Sequence, residues 1–198
     1  LIHSSFDTLT AQLQSHKIGC VHKLLFDLGI SSFQLDQAKR GFSFQGDDPL
    51  DMRMDNRNPQ TAASFLNSAS EQKLTTIFKD FGELRRPEKL VATIIATRRT
   101  HPYKTTQDFL STIKKSFFFR NQRRLYIKTA TLAFQALRIE INQELTRLQH
   151  LLDQLKPESS KNWMPSGARV AIISFHSLED SIQIFGYVET SLCNQMMI

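Results

Sequence analysis

Two short apolar runs near opposite ends of the chain constrain its fold more than any other feature. The first is "KLLFDLGI", Lys23 to Ile30, and the second is "VAIIS", Val170 to Ser174. Each is too short for a stable helix and too apolar for a half-exposed strand, so each reads as a strand buried on both faces. Both run directly into polar residues, and Asp27 lies near the carboxyl end of the first. Most of the chain separates them, and that stretch carries helical spacing. Two such strands joined through helices predict an α/β sheet interrupted by a helical insertion.

The intervening pattern is explicit. Ser68 and Glu71 fit a capping box ahead of a stripe at Leu74, Ile77, Phe78 and Phe81, with Gly82 as its stop. Pro87 suits the first turn of a second helix through Leu90, Val91, Ile94 and Ile95. Thr105 and Asp108 open a third through Phe109, Leu110 and Ile113. Phe134, Leu137, Ile141, Leu145, Leu148, Leu152 and Leu155 recur at three- and four-residue steps. They predict one long helix from about Thr131 to about Leu155. The polar loop "KPESSKNWMPSG" then leads to the second strand. The expected organisation is a first part of the α/β domain at 1–61, a helical insertion at 62–126, and the rest of the α/β domain at 127–198.

The formal net charge is +6, and its placement matters more than its size. From Arg98 to Lys128 there are nine basic residues (Arg98, Arg99, Lys104, Lys114, Lys115, Arg120, Arg123, Arg124 and Lys128), with Asp108 the sole acid. A basic middle on a nearly neutral frame suits a polyanion such as nucleic acid, although a solvated helix face would show the same charges. No apolar run approaches the roughly 20 residues that cross a bilayer. Cys20 and Cys193 have neither disulfide-framework nor metal-ligand spacing, so a reducing compartment is the default expectation. The chain starts at Leu1 with no charged-then-apolar leader, which reads as a fragment or a processed product.

In open α/β sheets ligands bind beyond the carboxyl ends of the strands. That draws attention to "FDLGISSFQLDQAKRGFSFQGDDPLDMRMD", Phe26 to Asp55, and to "SFHSLED", Ser174 to Asp180. In the first, Gly29 permits a turn or a close approach to a ligand. Asp27 offers a carboxylate, while Ser31, Ser32 and Gln34 offer neutral donors and acceptors. Phe33, Phe42 and Phe44 are available for stacking on a flat ring. Asp47, Asp48, Asp51 and Asp55 surround Arg53, and a loop stapled by Arg53 is a better reading than a metal site. In the second, Ser174, His176 and Asp180 invite a hydrolase reading. The nucleophile elbow is missing, however, and the residues lie too close along one loop for a triad. A lone histidine is more often structural, yet His176 beside Ser174 and Glu179 at a strand end is a site candidate.

The runs "DLGISSFQLDQAKRGFSFQGDDPLDMRMD", "AFQALRIEINQEL" and "ISFHSLED", in that order, closely resemble the MraW/RsmH family of ribosomal RNA methyltransferases. The resemblance extends from "IHSSF" at Ile2 to Asp180. It implies an S-adenosylmethionine-dependent, Rossmann-like methyltransferase domain with an inserted helical domain. The implied activity is N4-methylation of a cytidine in small-subunit ribosomal RNA, in the bacterial cytoplasm or in a mitochondrion. Carried over by motif, Phe6 of "HSSF", Asp27 and Gln34 are expected cofactor contacts, and Gly29 and Ser174 join them. Asp27, Ser31, Ser32 and His176 are the expected catalytic residues. Arg98, Arg99, Lys114, Lys115, Arg120, Arg123, Arg124 and Lys128 are expected to grip the RNA. The two short loops are expected to face each other across cofactor and target base. No metal is expected.

The implied chemistry needs in-line approach of the cytosine amine to the cofactor's methyl group at roughly 3–3.5 Å. It also needs acceptors for the amine hydrogens, with Asp27, Ser31 and Ser32 the candidates. Asp27 ranks first as a cofactor ligand and second as an amine acceptor. The base must leave its stack, and Phe33 or Phe42 would hold it. Four features depart from the family pattern, one of them "FGELRRPEKLV" in place of a more acidic, alanine-containing stretch. The family's glycine-rich cofactor loop is expected upstream of Leu1, the stretch "KPESSKNWMPSGAR" is long, and "SIQIFGYVETSLCNQMMI" lacks the usual basic character. They keep open an alternative in which the chain is a catalytically inactive RNA-binding or ribosome-assembly remnant.

Overall fold

The computed structural model describes residues 1–30, 40–43, 46–117, 119, 122–160 and 162–188. The chain forms two compact units, one of Leu1–Gly29 with Glu144–Ile198 and the other of Ile30–Gln143. The second extends past the expected insertion at 62–126 at both ends, taking in the stapled loop ahead of Ala62 and the chain up to Gln143, whose Phe134, Leu137 and Ile141 join its core.

The first unit is built on two parallel strands, β1 (Lys23–Asp27) and β2 (Arg169–Ile173), paired in register from Lys23–Arg169 to Asp27–Ile173. Both expected strands are present, but neither is buried on both faces as the sequence suggests: every second residue is exposed. Their inner face presents Leu24, Phe26, Val170 and Ile172, and their outer face, with Leu25, Asp27 and Ile173, is exposed. Helix α1 (Leu9–Ser15) follows a 3-10 turn at Phe6–Thr8. Leu148, Leu151 and Leu152 of α7 (Glu144–Leu155) form a small core with Leu28, against which Phe6, Leu9, Phe26, Ile172 and Ile182 pack. Gln154 fastens the amino-terminal turn by accepting from Thr10 N–H at 2.9 Å and donating to the Asp7 carbonyl at 2.6 Å. A short turn α8 (Pro157–Ser160) precedes β2, and α9 (Ser177–Val188) follows it.

The second unit is helical: α2 (Ala62–Ser68), α3 (Glu71–Asp80), α4 (Pro87–Arg98), α5 (Thr106–Ser116) and α6 (Arg123–Asn142). Their stripes converge on one core containing Phe65, Leu74, Phe78, Leu90, Ile94, Phe109, Ile113, Phe134 and Leu137. Thr105 and Asp108 cap α5 reciprocally, and Pro87 starts α4, both as the sequence implies. Two expectations are corrected. Ser70, not Ser68, caps α3 by accepting from Lys73 N–H, while Ser68 ends α2 and returns its hydroxyl to the Ser64 carbonyl. Ser at both positions carries the same cap signal, and only the break between α2 and α3 distinguishes them.

The expected helix from Thr131 to Leu155 is two helices, α6 and α7, divided at Gln143 in the left-handed conformation (φ 54°). A one-residue break leaves the apolar spacing across Ile141, Leu145 and Leu148 intact, so periodicity does not reveal it. The Asn142 side chain explains why α6 stops. Its amide donates to the Met52 carbonyl at 2.8 Å and the Arg138 carbonyl at 2.9 Å, and its oxygen accepts from Met54 N–H at 2.7 Å. Gly82 has a second role besides ending α3. A Cβ there would lie 2.8 Å from the Phe78 carbonyl and 3.2 Å from Ala136 Cβ, so the glycine lets two backbones approach.

Arg53 does staple the acidic loop. Its guanidinium pairs bidentately with Asp51 at 2.6 and 2.8 Å and donates to the Asn58 carbonyl at 2.7 Å. Arg40 donates to the carbonyls of Arg53 and Met54, and Arg57 pairs with Asp55 at the surface. Together these bonds hold buried Met52 at φ 60°, a conformation that costs a non-glycine residue about 1–3 kcal/mol. Burial pushes the Asp51 carboxyl up, but the hydrogen bonds and charge of Arg53, with the charge of Arg40, outweigh it and hold it below the ordinary 3.8. A carboxyl lowered on folding stabilises the fold above its unfolded value, and that stabilisation is lost as pH falls through the folded value. The urea midpoint is therefore expected to drop below about pH 4, and Asp51→Asn to flatten that acid limb. An unchanged limb in the variant would remove Asp51 from the account.

Candidate functional site

Asp27 closes β1, and Leu28 N–H bonds to the Ile173 carbonyl at 3.1 Å, so the two strands finish side by side. Asp27, in the last pair of the ladder, is exposed on its outer face. Gly29 turns the chain at φ 83°. Parallel pairing places the Ser174–Ser177 turn next to it, and Phe175 covers Gly29 directly. A Cβ on Gly29 would meet the Phe175 ring at 3.2 Å.

The turn after β2 is anchored from beneath. The Ser174 hydroxyl donates to the Asp180 carboxylate. Phe175 N–H donates to Glu179 Oε2 at 2.8 Å, although Glu179 is only 2% exposed. His176 precedes α9, its Nδ1 lies 3.4 Å from Glu179 N–H and its Nε2 lies 3.4 Å from Glu179 Oε1. Glu144, the first residue of α7, brings a third ionisable group, and one ligand-type atom from each of Glu144, His176 and Glu179 falls within 4.8 Å of the others. The spacing would admit a cation. Glu179 holds the Phe175 N–H of the turn itself, however, and a buried carboxylate holding main-chain N–H is a structural arrangement in its own right. Asp51 and Asp55, by contrast, are paired with arginines and do not converge on a metal position.

The structure thus gathers Asp27, Gly29, Ser174 and His176 at one edge of the first unit. Phe6 lies in the same unit, half-buried against the α7 core. Ser31, Ser32, Phe33, Gln34, Phe44 and Arg120 lie outside the described residues. Phe42 is half-buried against the helical core with the Arg40 guanidinium 5.8 Å from its ring centre, which engages one side of that ring. Sequence reading named Glu179 only as a neighbour of His176, and missed Glu144 and Phe175 as parts of the site. A glutamate three residues after His176 is a capping signal that could have flagged Glu179. Nothing local pointed to Glu144 or to the exposure of Phe175.

In the helical unit, Arg99, Lys114, Lys115, Arg123, Arg124 and Lys128 are exposed, at the end of α4, the end of α5 and along the first turns of α6. Arg98 differs from expectation. Its guanidinium donates to the Leu66 and Ala69 carbonyls at 3.0 and 2.7 Å, closing the end of α2, so it belongs to the fold. Phe117, Phe119 and Tyr126 pack on one another between α5 and α6, with ring centres 5.9 and 5.2 Å apart. Among the described residues no helix is long and apolar enough to cross a membrane.

A mixed α/β unit with its polar residues beyond the carboxyl ends of parallel strands, carried with a basic helical unit, defines a class in which a methyltransferase is at home. The chain belongs to the MraW methylase family, whose model matches residues 1–192. It is 41% identical over 182 residues to the ribosomal RNA small subunit methyltransferase H of Nitrosospira multiformis, covering 92% of this chain and 56% of that protein. Proteins of the same name from Desulfotalea psychrophila (38% identical, 92% of this chain and 60% of that protein) and a Cyanothece species (46%, 79% and 50%) are similar to it as well. The chain therefore spans about half the length of the curated relatives it matches.

Proposed function

We propose that this chain takes part in S-adenosylmethionine-dependent N4-methylation of a cytidine in small-subunit ribosomal RNA, from a Rossmann-like domain interrupted by a helical insertion. The observation that carries the proposal is the exposed Asp27 carboxylate beside a rigid Ser174–Ser177 turn, at the carboxyl ends of paired parallel strands in a member of a methylase family. The names of the relatives support small-subunit ribosomal RNA as substrate. The exposed cations of α4, α5 and α6 suit its phosphates.

The donor set fits the cofactor. Asp27, exposed at the strand end, offers a carboxylate to a cationic sulfonium or to hydroxyls, beside a Gly29 already covered by the Phe175 ring. S-adenosylmethionine supplies an electrophilic methyl carbon on that sulfonium. At the target, the N4 lone pair forms the new nitrogen–carbon bond as the carbon–sulfur bond breaks, and N4 gives up one hydrogen as a proton. Asp27 accepts a hydrogen bond from the amine, which frees the lone pair from conjugation with the ring, and the proton then leaves to solvent. His176, held by Glu179, fixes the neighbouring turn and does not need to move a proton.

Asp27→Asn keeps the shape and removes the charge. Transfer of labelled methyl groups to small-subunit RNA is expected to fall about ten- to a hundredfold, the value of one charge-assisted hydrogen bond. Full activity in the variant would remove Asp27 from the chemistry. RNA binding by the wild-type chain without methyl transfer or cofactor binding would replace the proposal with the non-catalytic reading.

A further inference from the structure

We infer that Phe175 is the platform on which the target cytosine stacks. The inference rests on the proposed methyl transfer to cytidine and adds to it the residue that holds the base.

Phe175, two residues beyond the end of β2, is 65% exposed although its main-chain N–H is held. Its N–H is bound at 2.8 Å by Glu179, a carboxylate almost wholly withdrawn from water. Burying a charged group is unfavourable unless hydrogen bonds compensate it. Here the compensation goes into fixing the backbone of one residue while its ring stays outside. Glu179 is in turn braced by His176 and lies close to Glu144, which joins the start of α7 to the same turn.

The position of the ring is equally specific. It rests on Gly29, where any side chain would intrude at 3.2 Å, and Gly29 itself sits at φ 83°. The ring thus meets Gly29 through its Cδ2 side while most of its surface stays exposed. Asp27 is two residues before Gly29 and is paired with Ile173, which is two residues before Phe175. Asp27 and Phe175 therefore belong to neighbouring strand ends, joined through the Asp27–Ile173 pairing and the contact of the Phe175 ring with Gly29. A π-surface beside a carboxylate suits a flat ring that bears an exocyclic amine, because the ring stacks and the amine donates. Cytosine presents that combination at the atom to be methylated. The adenine of the cofactor shares the chemistry, and the experiment separates the two.

The test compares Phe175→Ala, Phe175→Leu and Phe175→Trp in the whole chain, with small-subunit RNA as substrate. KM for RNA is read at saturating S-adenosylmethionine, and cofactor affinity is read separately by calorimetry. Phe175→Ala and Phe175→Leu are expected to raise KM for RNA by about five- to a hundredfold, the range for one lost base–aromatic stack, with cofactor affinity and thermal midpoint unchanged. Phe175→Trp is expected to stay within a fewfold of wild type. Leucine keeps the apolar volume, so a fully active Phe175→Leu variant overturns the inference. Loss of cofactor affinity with unchanged KM for RNA also overturns it and assigns the ring to adenine. Methylation of some base other than cytidine by the wild-type chain defeats the proposed function instead, and leaves the alanine–tryptophan contrast readable.

Discussion

Asn142→Leu is expected to destabilise the helical unit by about 2–4 kcal/mol, seen as a lower urea midpoint at an unchanged slope. Leucine matches asparagine in size, so packing contributes little. The damage comes from orphaned main-chain groups. Asn142 is 8% exposed, and its amide satisfies both Met54 N–H and the Met52 carbonyl. Each of these groups left unpaired away from water costs about 1–3 kcal/mol. Met52 sits at φ 60°, so the same bonds also hold a strained residue in place. Asn142→Asp preserves one acceptor but turns the other oxygen toward the Met52 and Arg138 carbonyls, and is expected to destabilise as well. Wild-type stability in Asn142→Leu would show that the 51–58 loop holds through Arg53 alone.

Asn142 also marks where sequence reading stops. The strands, the starts of α4 and α5 and the stripe of α6 were legible because each rests on a local pattern: an apolar run, a proline, a reciprocal cap or a repeat of three and four. The break at Gln143 was not, because its cause is a hydrogen bond from Asn142 to residues 88 and 90 positions away. Ser68 and Ser70 carry equal cap signals, so the choice between them depended on how α2 packs. The site divides in the same way. Asp27, Gly29, Ser174 and His176 stand out because polar residues at strand ends are a local anomaly. Glu144 joins His176 and Glu179 only when α7 docks beside the turn. Arg98 counts as one more cation in the sequence and becomes a helix closure only when the ends of α2 and α4 meet. Local signals therefore recovered the candidate residues, while their partners depended on contacts distant along the chain.

The basic face of the helical unit can be separated from its stability by one core substitution. Phe109 is fully buried, stacks on Phe78 at 6.0 Å, meets the edge of Tyr103 at 6.3 Å and lies 5.3 Å from Phe134. Phe109→Ala removes the ring common to α3, α5 and α6 and is expected to lower stability by about 3–5 kcal/mol. That exceeds the loss at Asn142 because three aromatic contacts vanish together and the cavity cannot close without moving helices. Lys114 and Lys115 ride on α5, and Arg123, Arg124 and Lys128 ride on α6. Loosening α5 against α6 should therefore weaken the proposed RNA binding in proportion to the unfolded fraction, and binding should recover on cooling or with a stabilising osmolyte. Arg123→Glu with Arg124→Glu should do the opposite, leaving the melting curve nearly unchanged and reducing the slope of affinity against salt by about two phosphate contacts. Identical behaviour of the two sets of variants, in melting and in salt dependence, would mean that the cations act through the fold and not on phosphate.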